Sequence, residues 1–185
     1  MKWKYIVLIF LLLLCSDIDY VHAKSFLIDE NKSKITYSLS KFGIPFKIKS
    51  LITTGLINIE KINSLEPPCL ELKGLSLKTN FTSKLSLFRR VIEYDKYPYF
   101  SFDATFENPV ILNDLETVTI TGFVTFHGVS KKVEAKLKCN TKGELVSLAG
   151  FMNIKMSEFG ITPPKIFFIR IDDLIKTKIE LHTSI

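Results

Sequence analysis

Apolar and polar residues alternate along most of the chain after residue 23. The last such segment is the clearest, because Ile175, Thr177 and Ile179 share one side of an extended chain while Lys176 and Lys178 share the other. The same period of two recurs in four further segments, at residues 35–39, 100–106, 118–126 and 133–139. One polar face with this period is typical of antiparallel strands that pack on one side only. The pattern predicts an all-β domain.

Turn-forming residues separate these segments at roughly regular intervals, for example Asn108 with Pro109 and Pro163 with Pro164. Many short strands with such spacing predict a sandwich or a barrel. One segment differs, because apolar residues recur there at steps of three and four residues, which predicts a short helix over residues 85–92. A helix of this length is not stable alone and must pack against the sheet.

Residues 1–23 have the pattern of a secretory signal peptide. Lys2 and Lys4 precede an apolar run at residues 5–14, and a small residue, Ala23, stands where a signal peptidase would cut. Ten apolar residues are too few for a helix that spans a hydrocarbon core, which takes about 20. We expect cleavage after Ala23 and a periplasmic or secreted protein.

Two other fates of this segment remain open, an uncleaved membrane anchor and lipidation of Cys15. A leucine stands before Cys15, where lipidation signals carry a small residue. Either way, residues 24–185 are expected to form one domain, a size that buries a full core. Export permits a disulfide between Cys69 and Cys139, but both lie in apolar alternation, which favours buried thiols.

The chain has a formal net charge of +6, and its basic residues are scattered over the predicted strands. A nucleic-acid site needs clustered basic residues with stacking aromatic side chains, and the sequence shows no such cluster. We therefore expect no nucleic-acid partner. The charge favours a transient contact with an anionic membrane surface or with an anionic head group.

The sequence offers little for catalysis. It contains no nucleophile elbow and no glycine-rich phosphate loop, and no Cys or His neighbours stand at the spacing of metal ligands. His127 precedes Gly128 in a predicted turn, where we expect it to be exposed. Asp172 and Asp173 are adjacent, so on a strand they point to opposite faces, and a turn is the more natural setting for them. We expect no enzyme, no cofactor and no metal site.

Three segments resemble a known family. They are DKYPYFSF at residues 95–102, GFVTFHGVSKKVEAKL at residues 122–137 and SEFGITPP at residues 157–164. Their order and spacing resemble the YceI family of exported, lipocalin-like lipid-binding proteins. The resemblance implies an eight-stranded antiparallel lipocalin-like barrel with one short helix near its opening. It also implies that the protein carries or sequesters a long amphiphile, such as a polyisoprenoid or a quinone, and catalyses nothing.

On this resemblance, inward-facing side chains would line one elongated apolar cavity. The expected lining residues are Tyr37, Phe100, Phe102, Val124, Phe126, Ile154 and Ile169. Leu85 and Phe88 would close one end from the helix. Lys41, Arg89 and Arg90 flank that end and are the candidates for an anionic head group. The alternative is an interaction module whose barrel is filled by its own side chains and whose surface binds a partner protein, and a homodimer also stays open.

Overall fold

The computed structural model describes residues 24–41, 44–62, 69–81, 86–166 and 169–185. Within these ranges the chain forms eleven strands, one α-helix and one 3₁₀ turn. The strands are β1 Lys24–Leu27, β2 Lys34–Lys41, β3 Ile44–Ile62, β4 Cys69–Phe81, β5 Tyr99–Leu112, β6 Thr117–Phe126, β7 Val129–Lys142, β8 Leu145–Lys155, β9 Lys165–Ile166, β10 Ile169–Arg170 and β11 Leu174–Ser184. The helix, α1, is Ser86–Val91, and the 3₁₀ turn is Met156–Phe159.

Nine strands form one antiparallel sheet in the order β1-β3-β2-β11-β8-β7-β6-β5-β4, and β3 also pairs with β4. The sheet therefore curls back on itself, and the predicted all-β, lipocalin-like barrel is confirmed. The predicted strand count of eight was wrong, because this sheet contains nine strands, and β9 and β10 form a separate two-stranded sheet.

The ninth strand arises because β1 and β2 occupy successive parts of one edge of β3. Leu27 lies opposite Leu56 on β3, and Lys34 at the start of β2 lies opposite Leu51. A turn at Asp29 separates the two strands, where the Asp29 carboxylate accepts hydrogen bonds from the following backbone N–H groups. The chain that pairs with this edge of β3 is thus divided into two strands, β1 and β2, instead of one.

The alternation of the sequence becomes the inside and the outside of the barrel. On β6 the side chains of Ile120, Val124 and Phe126 are buried, while Phe123 and Thr125 between them are exposed. β11 repeats this pattern, and its buried apolar side chains, Ile175, Ile179 and Leu181, belong to the same core cluster. Because successive side chains of a strand point to opposite faces, the period of two alone assigns these residues to the core or to the surface.

Helix α1 lies between the end of β4 and the start of β5, so it stands at the rim where β2, β4, β6 and β8 end. We call this the helical rim. Phe88 and Ile92 are buried against the core, while Arg89 and Arg90 are exposed. The predicted helix at residues 85–92 is thus present and slightly shorter. In the part of the chain that the structure describes, no helix is long and apolar enough to cross a membrane.

Candidate functional site

A row of aromatic side chains runs through the barrel interior, contributed by β2, β5, β6 and the 3₁₀ turn. Ring centroids are separated by 5.4 Å between Tyr37 and Phe100, by 6.0 Å between Phe100 and Phe126, and by 5.8 Å between Phe126 and Phe159. Each of these four side chains is 1% exposed or less. The first three face inward as predicted, whereas Phe159 was not predicted to lie in the interior, although it belongs to the SEFG segment of the family resemblance.

The interior is uncharged. The buried polar side chains among the described residues are Ser33, Thr79, Thr177 and Thr183, and none of them carries a charge. The Tyr37 hydroxyl and the Thr79 Oγ1 lie 2.9 Å apart and share a hydrogen bond, and burial raises the pKa of Tyr37, so this phenol stays neutral. The Thr177 Oγ1 is buried without a hydrogen-bond partner. The barrel therefore presents apolar surface with a few hydroxyl groups.

The other predicted lining residues lie in different places. Phe102 and Val124 are opposite each other on β5 and β6, and both are fully buried, as is Ile154 on β8. Ile169 belongs to β10, in the two-stranded sheet rather than in the barrel wall. Leu85 lies outside the described residues. Phe88 is buried on the inner side of α1, where a side chain could close the helical rim.

The three segments that carry the family resemblance meet at the helical rim. The Tyr97 ring packs on His127 with 4.7 Å between ring centroids, and His127 Nδ1 lies 3.1 Å from the Phe159 carbonyl oxygen. Because a carbonyl only accepts, Nδ1 carries the proton in this contact. Gly128 lies under Tyr97, so close that a Cβ there would come within 2.7 Å of the ring. We call these four residues the rim junction.

His127 was expected to be exposed, and this expectation was wrong. Its side chain is 14% exposed, because Tyr97 and the 3₁₀ turn cover it. Both residues of the β6–β7 turn have positive φ, 52° at His127 and 74° at Gly128, as a type I′ hairpin turn requires. This backbone directs the imidazole toward Phe159 instead of into solvent.

Hydrogen bonds to Asp173 stabilise the 3₁₀ turn. Its carboxylate accepts hydrogen bonds from the Ser157 backbone N–H at 2.8 Å and from the Ser157 hydroxyl at 2.5 Å. Asp172 precedes it in the same connection to β11, and its backbone N–H bonds to the Ser40 carbonyl. The two acids therefore lie in a turn, as expected, and Asp173 positions the segment that carries Phe159.

The head-group candidates share the helical rim but differ in their surroundings. The Arg89 guanidinium stacks on the Tyr94 ring at 3.9 Å and contacts the Asp95 carboxylate at 3.5 Å. Arg90 is exposed beside it, and Lys41 ends β2 at the same rim, although its side chain lies outside what the structure describes. Arg89 is thus engaged within its own loop, and Arg90 is the more accessible cation.

The barrel wall is open between β5 and β6. These strands pair only where Ser101–Asp103 face Phe123–Thr125, and farther along β5 its pairing with β4 is interrupted between Thr105 and Val110. A groove of about 720 Å³ lies in the gap. Its lining includes Ala104 and Ile120, whose side chains are buried, so the groove lies directly outside the core.

Cys139 is a free, buried thiol; burial, with a smaller contribution from Asp114, raises the pKa of this thiol to about 11. The interpretation as a buried thiol thus holds for Cys139, whereas the side chain of Cys69 lies outside what the structure describes. Over the described ranges, no group of three or more His, Cys, Asp or Glu side chains is placed to hold a metal ion.

Comparisons with known proteins give the following relationships. The family model of the YceI-like domain matches residues 26–185. Among solved structures, BcnA from Burkholderia cenocepacia is 15% identical with a TM-score of 0.61, over 85% of this chain and 99% of that one. The YceI protein of Campylobacter jejuni is 18% identical with a TM-score of 0.54, over 75% of this chain and 85% of that one. No curated protein sequence matches this chain.

Proposed function

The chain belongs to the YceI-like domain family, and on that premise we propose that it is a non-catalytic protein that binds a long amphiphile, such as a polyisoprenoid or a quinone, inside its barrel. The observation that carries the proposal is the uncharged interior of the described barrel with its row of aromatic side chains, which suits a hydrocarbon chain. Export to the periplasm or the cell exterior is part of the same proposal, and it rests on the pattern of residues 1–23.

The energetics of such a complex favour tight binding. Each methylene-sized unit moved from water into an apolar site contributes about 0.8 kcal/mol, so twenty units contribute on the order of 15 kcal/mol before ordering costs. This gross value is close to the highest affinities that proteins reach. Selectivity must therefore come from the length of the site and from the end that receives the head group.

A charged head group has to stay at the rim. Burying an ionised group without a partner is costly, and the described interior offers only hydroxyl groups such as those of Tyr37, Thr79 and Thr177. Among the head-group candidates, Arg90 is exposed at the helical rim, and Lys41 ends its strand nearby. A phosphate would be held there, whereas a quinone carbonyl could accept a hydrogen bond from an interior hydroxyl.

The groove between β5 and β6 supports a route to the interior. It borders Ala104 and Ile120, at the place where the ladder of backbone hydrogen bonds is interrupted. An apolar chain could pass there without crossing the rim junction. The buried aromatic side chains would then have to move, because they fill the part of the interior that the ligand would occupy.

One observation favours the second candidate, an interaction module with a self-filled barrel. Phe100, Phe126 and Phe159 are fully buried by protein atoms alone. A barrel that is packed in this way needs no ligand for stability. Its function would then lie on its surface, in contact with a partner protein.

Native mass spectrometry of protein purified without detergent separates the two candidates. For a carrier we expect a mass that includes a co-purified lipid. If all of the protein has the mass of the chain without a ligand, the interaction module is supported. The variant Val124→Trp adds bulk to the interior, and Thr125→Trp adds the same bulk to the exposed face of the same strand. We expect loss of the lipid mass in the first variant only. Unchanged retention in a folded Val124→Trp protein would show that the lipid does not occupy the barrel.

A further inference from the structure

Among the described strands, positive charge is high on β7, β8 and β11 and low on β4 and β5. The adjacent strands β7, β8 and β11 carry eight lysines and two glutamates. On the opposite side, β4 and β5 carry two lysines and three acidic residues. Strands β1, β2 and β3 carry six lysines and one glutamate, so most of the barrel wall is basic, whereas β4 and β5 together are slightly acidic.

Two phenylalanines are exposed within the basic side. Phe151 on β8 is 57% exposed, and its direct neighbours on the adjoining strands are Lys136 and Lys178. Phe123 on β6 is 56% exposed and lies opposite Lys132 on β7. We call these five residues the basic face. Each phenylalanine is thus an exposed aromatic ring beside at least one lysine.

The acidic residues within this side leave the basic character intact. Glu180 contacts both Lys34 at 3.3 Å and Lys178 at 3.2 Å, so two lysines surround this carboxylate. Glu134 is the other glutamate of the three strands. The lysines outnumber these acids fourfold, and they lie on a continuous sheet surface.

We propose that the basic face docks the protein on the surface of an anionic phospholipid bilayer. The lysines attract the anionic head groups, and each lysine raises the affinity of the protein for the bilayer about fivefold. The two phenylalanine rings insert at the level of the head groups. The lysines are spread over three strands and do not converge on one point. That arrangement suits a surface of dispersed, mobile charges better than a single anion, which needs convergent donors.

This inference stands apart from the proposed function, because an empty or self-filled barrel would dock as well as a loaded one. The rim of the β5–β6 groove includes Phe123 and Lys132. Docking would therefore place this opening of the barrel beside the bilayer. If the protein does carry a lipid, the membrane contact and the route to the interior are on the same side.

The test compares two double variants that lower the net charge equally. Lys136→Gln with Lys178→Gln removes charge from the basic face, and Lys78→Gln with Lys96→Gln removes it from exposed positions on β4 and in the loop before β5. Binding is measured by flotation with vesicles of phosphatidylglycerol and phosphatidylcholine at low salt. We expect a roughly 30-fold loss of affinity for the first variant and a much smaller loss for the second, with binding falling as salt rises.

A fluorescent reporter tests the orientation and separates docking from binding through residues 1–23. Trp3 is the single tryptophan of the chain, so Phe151→Trp is made together with Trp3→Phe, and Tyr99→Trp on the opposite side serves as the matched control. Anionic vesicles should shift the emission of the first reporter to the blue and brominated lipids should quench it, while the control stays unchanged. Equal losses in the two double variants, equal responses of the two reporters, or no response of the Phe151→Trp reporter would each overturn the proposal.

Discussion

The substitution Phe126→Ala tests how much of the stability depends on the aromatic row. The Phe126 side chain is 1% exposed and contacts the rings of both Phe100 and Phe159. Replacing a buried phenylalanine by alanine costs about 3–5 kcal/mol. Because Phe126→Ala also removes two aromatic pairs, its cost should not fall at the low end of that range. We expect a loss of about 4 kcal/mol in the free energy of unfolding, or roughly 12 °C in the melting temperature.

The matched control lies on the same strand. Phe123→Ala removes the same atoms from a side chain that is 56% exposed, so we expect a loss below about 1 kcal/mol. Urea unfolding followed by circular dichroism measures both variants, with the slope of the transition as a check on two-state behaviour. Equal losses, or a loss below about 1 kcal/mol for Phe126→Ala, would show that the aromatic row does not hold the barrel together.

Three further outcomes are expected. Cys139 should resist alkylation at pH 8 in the folded protein and react after unfolding. Because burial raises the pKa of this thiol to about 11 in the folded protein, the free energy of unfolding should fall as the pH rises from about 9 to 11. A Cys139→Ala variant should show a smaller fall. Gly122→Ala should lower the melting temperature, since the added Cβ would lie 2.6 Å from the Phe102 ring, and an unchanged or higher value would contradict that close approach. The mass of the exported protein should place its N-terminus at Lys24, whereas a diacylated Cys15 would show that the lipoprotein alternative is correct.

Much of the candidate site could be predicted from local pattern. Phe100, Phe102, Val124 and Phe126 are buried as predicted, because the side-chain period of a strand is a local property and one apolar face has to be covered. Phe159 was missed because it lies in a 3₁₀ turn, where no period of two applies. Its signal was its place in the SEFG segment, but that segment alone does not show what it packs against.

The sequence by itself determined the class of the fold, the inner and outer faces of the strands and the His127–Gly128 turn, since each depends on residues that are close in the chain. Only the tertiary structure decided the division of β1 from β2, the gap between β5 and β6 and the convergence of Tyr97, His127 and Phe159. These features depend on which distant strands pair and in which register. The alternation of apolar and polar residues does not determine the register, because a shift by two residues keeps every side chain on the same face. The basic face belongs to the same group: its lysines are scattered in sequence, and strand pairing alone brings them side by side.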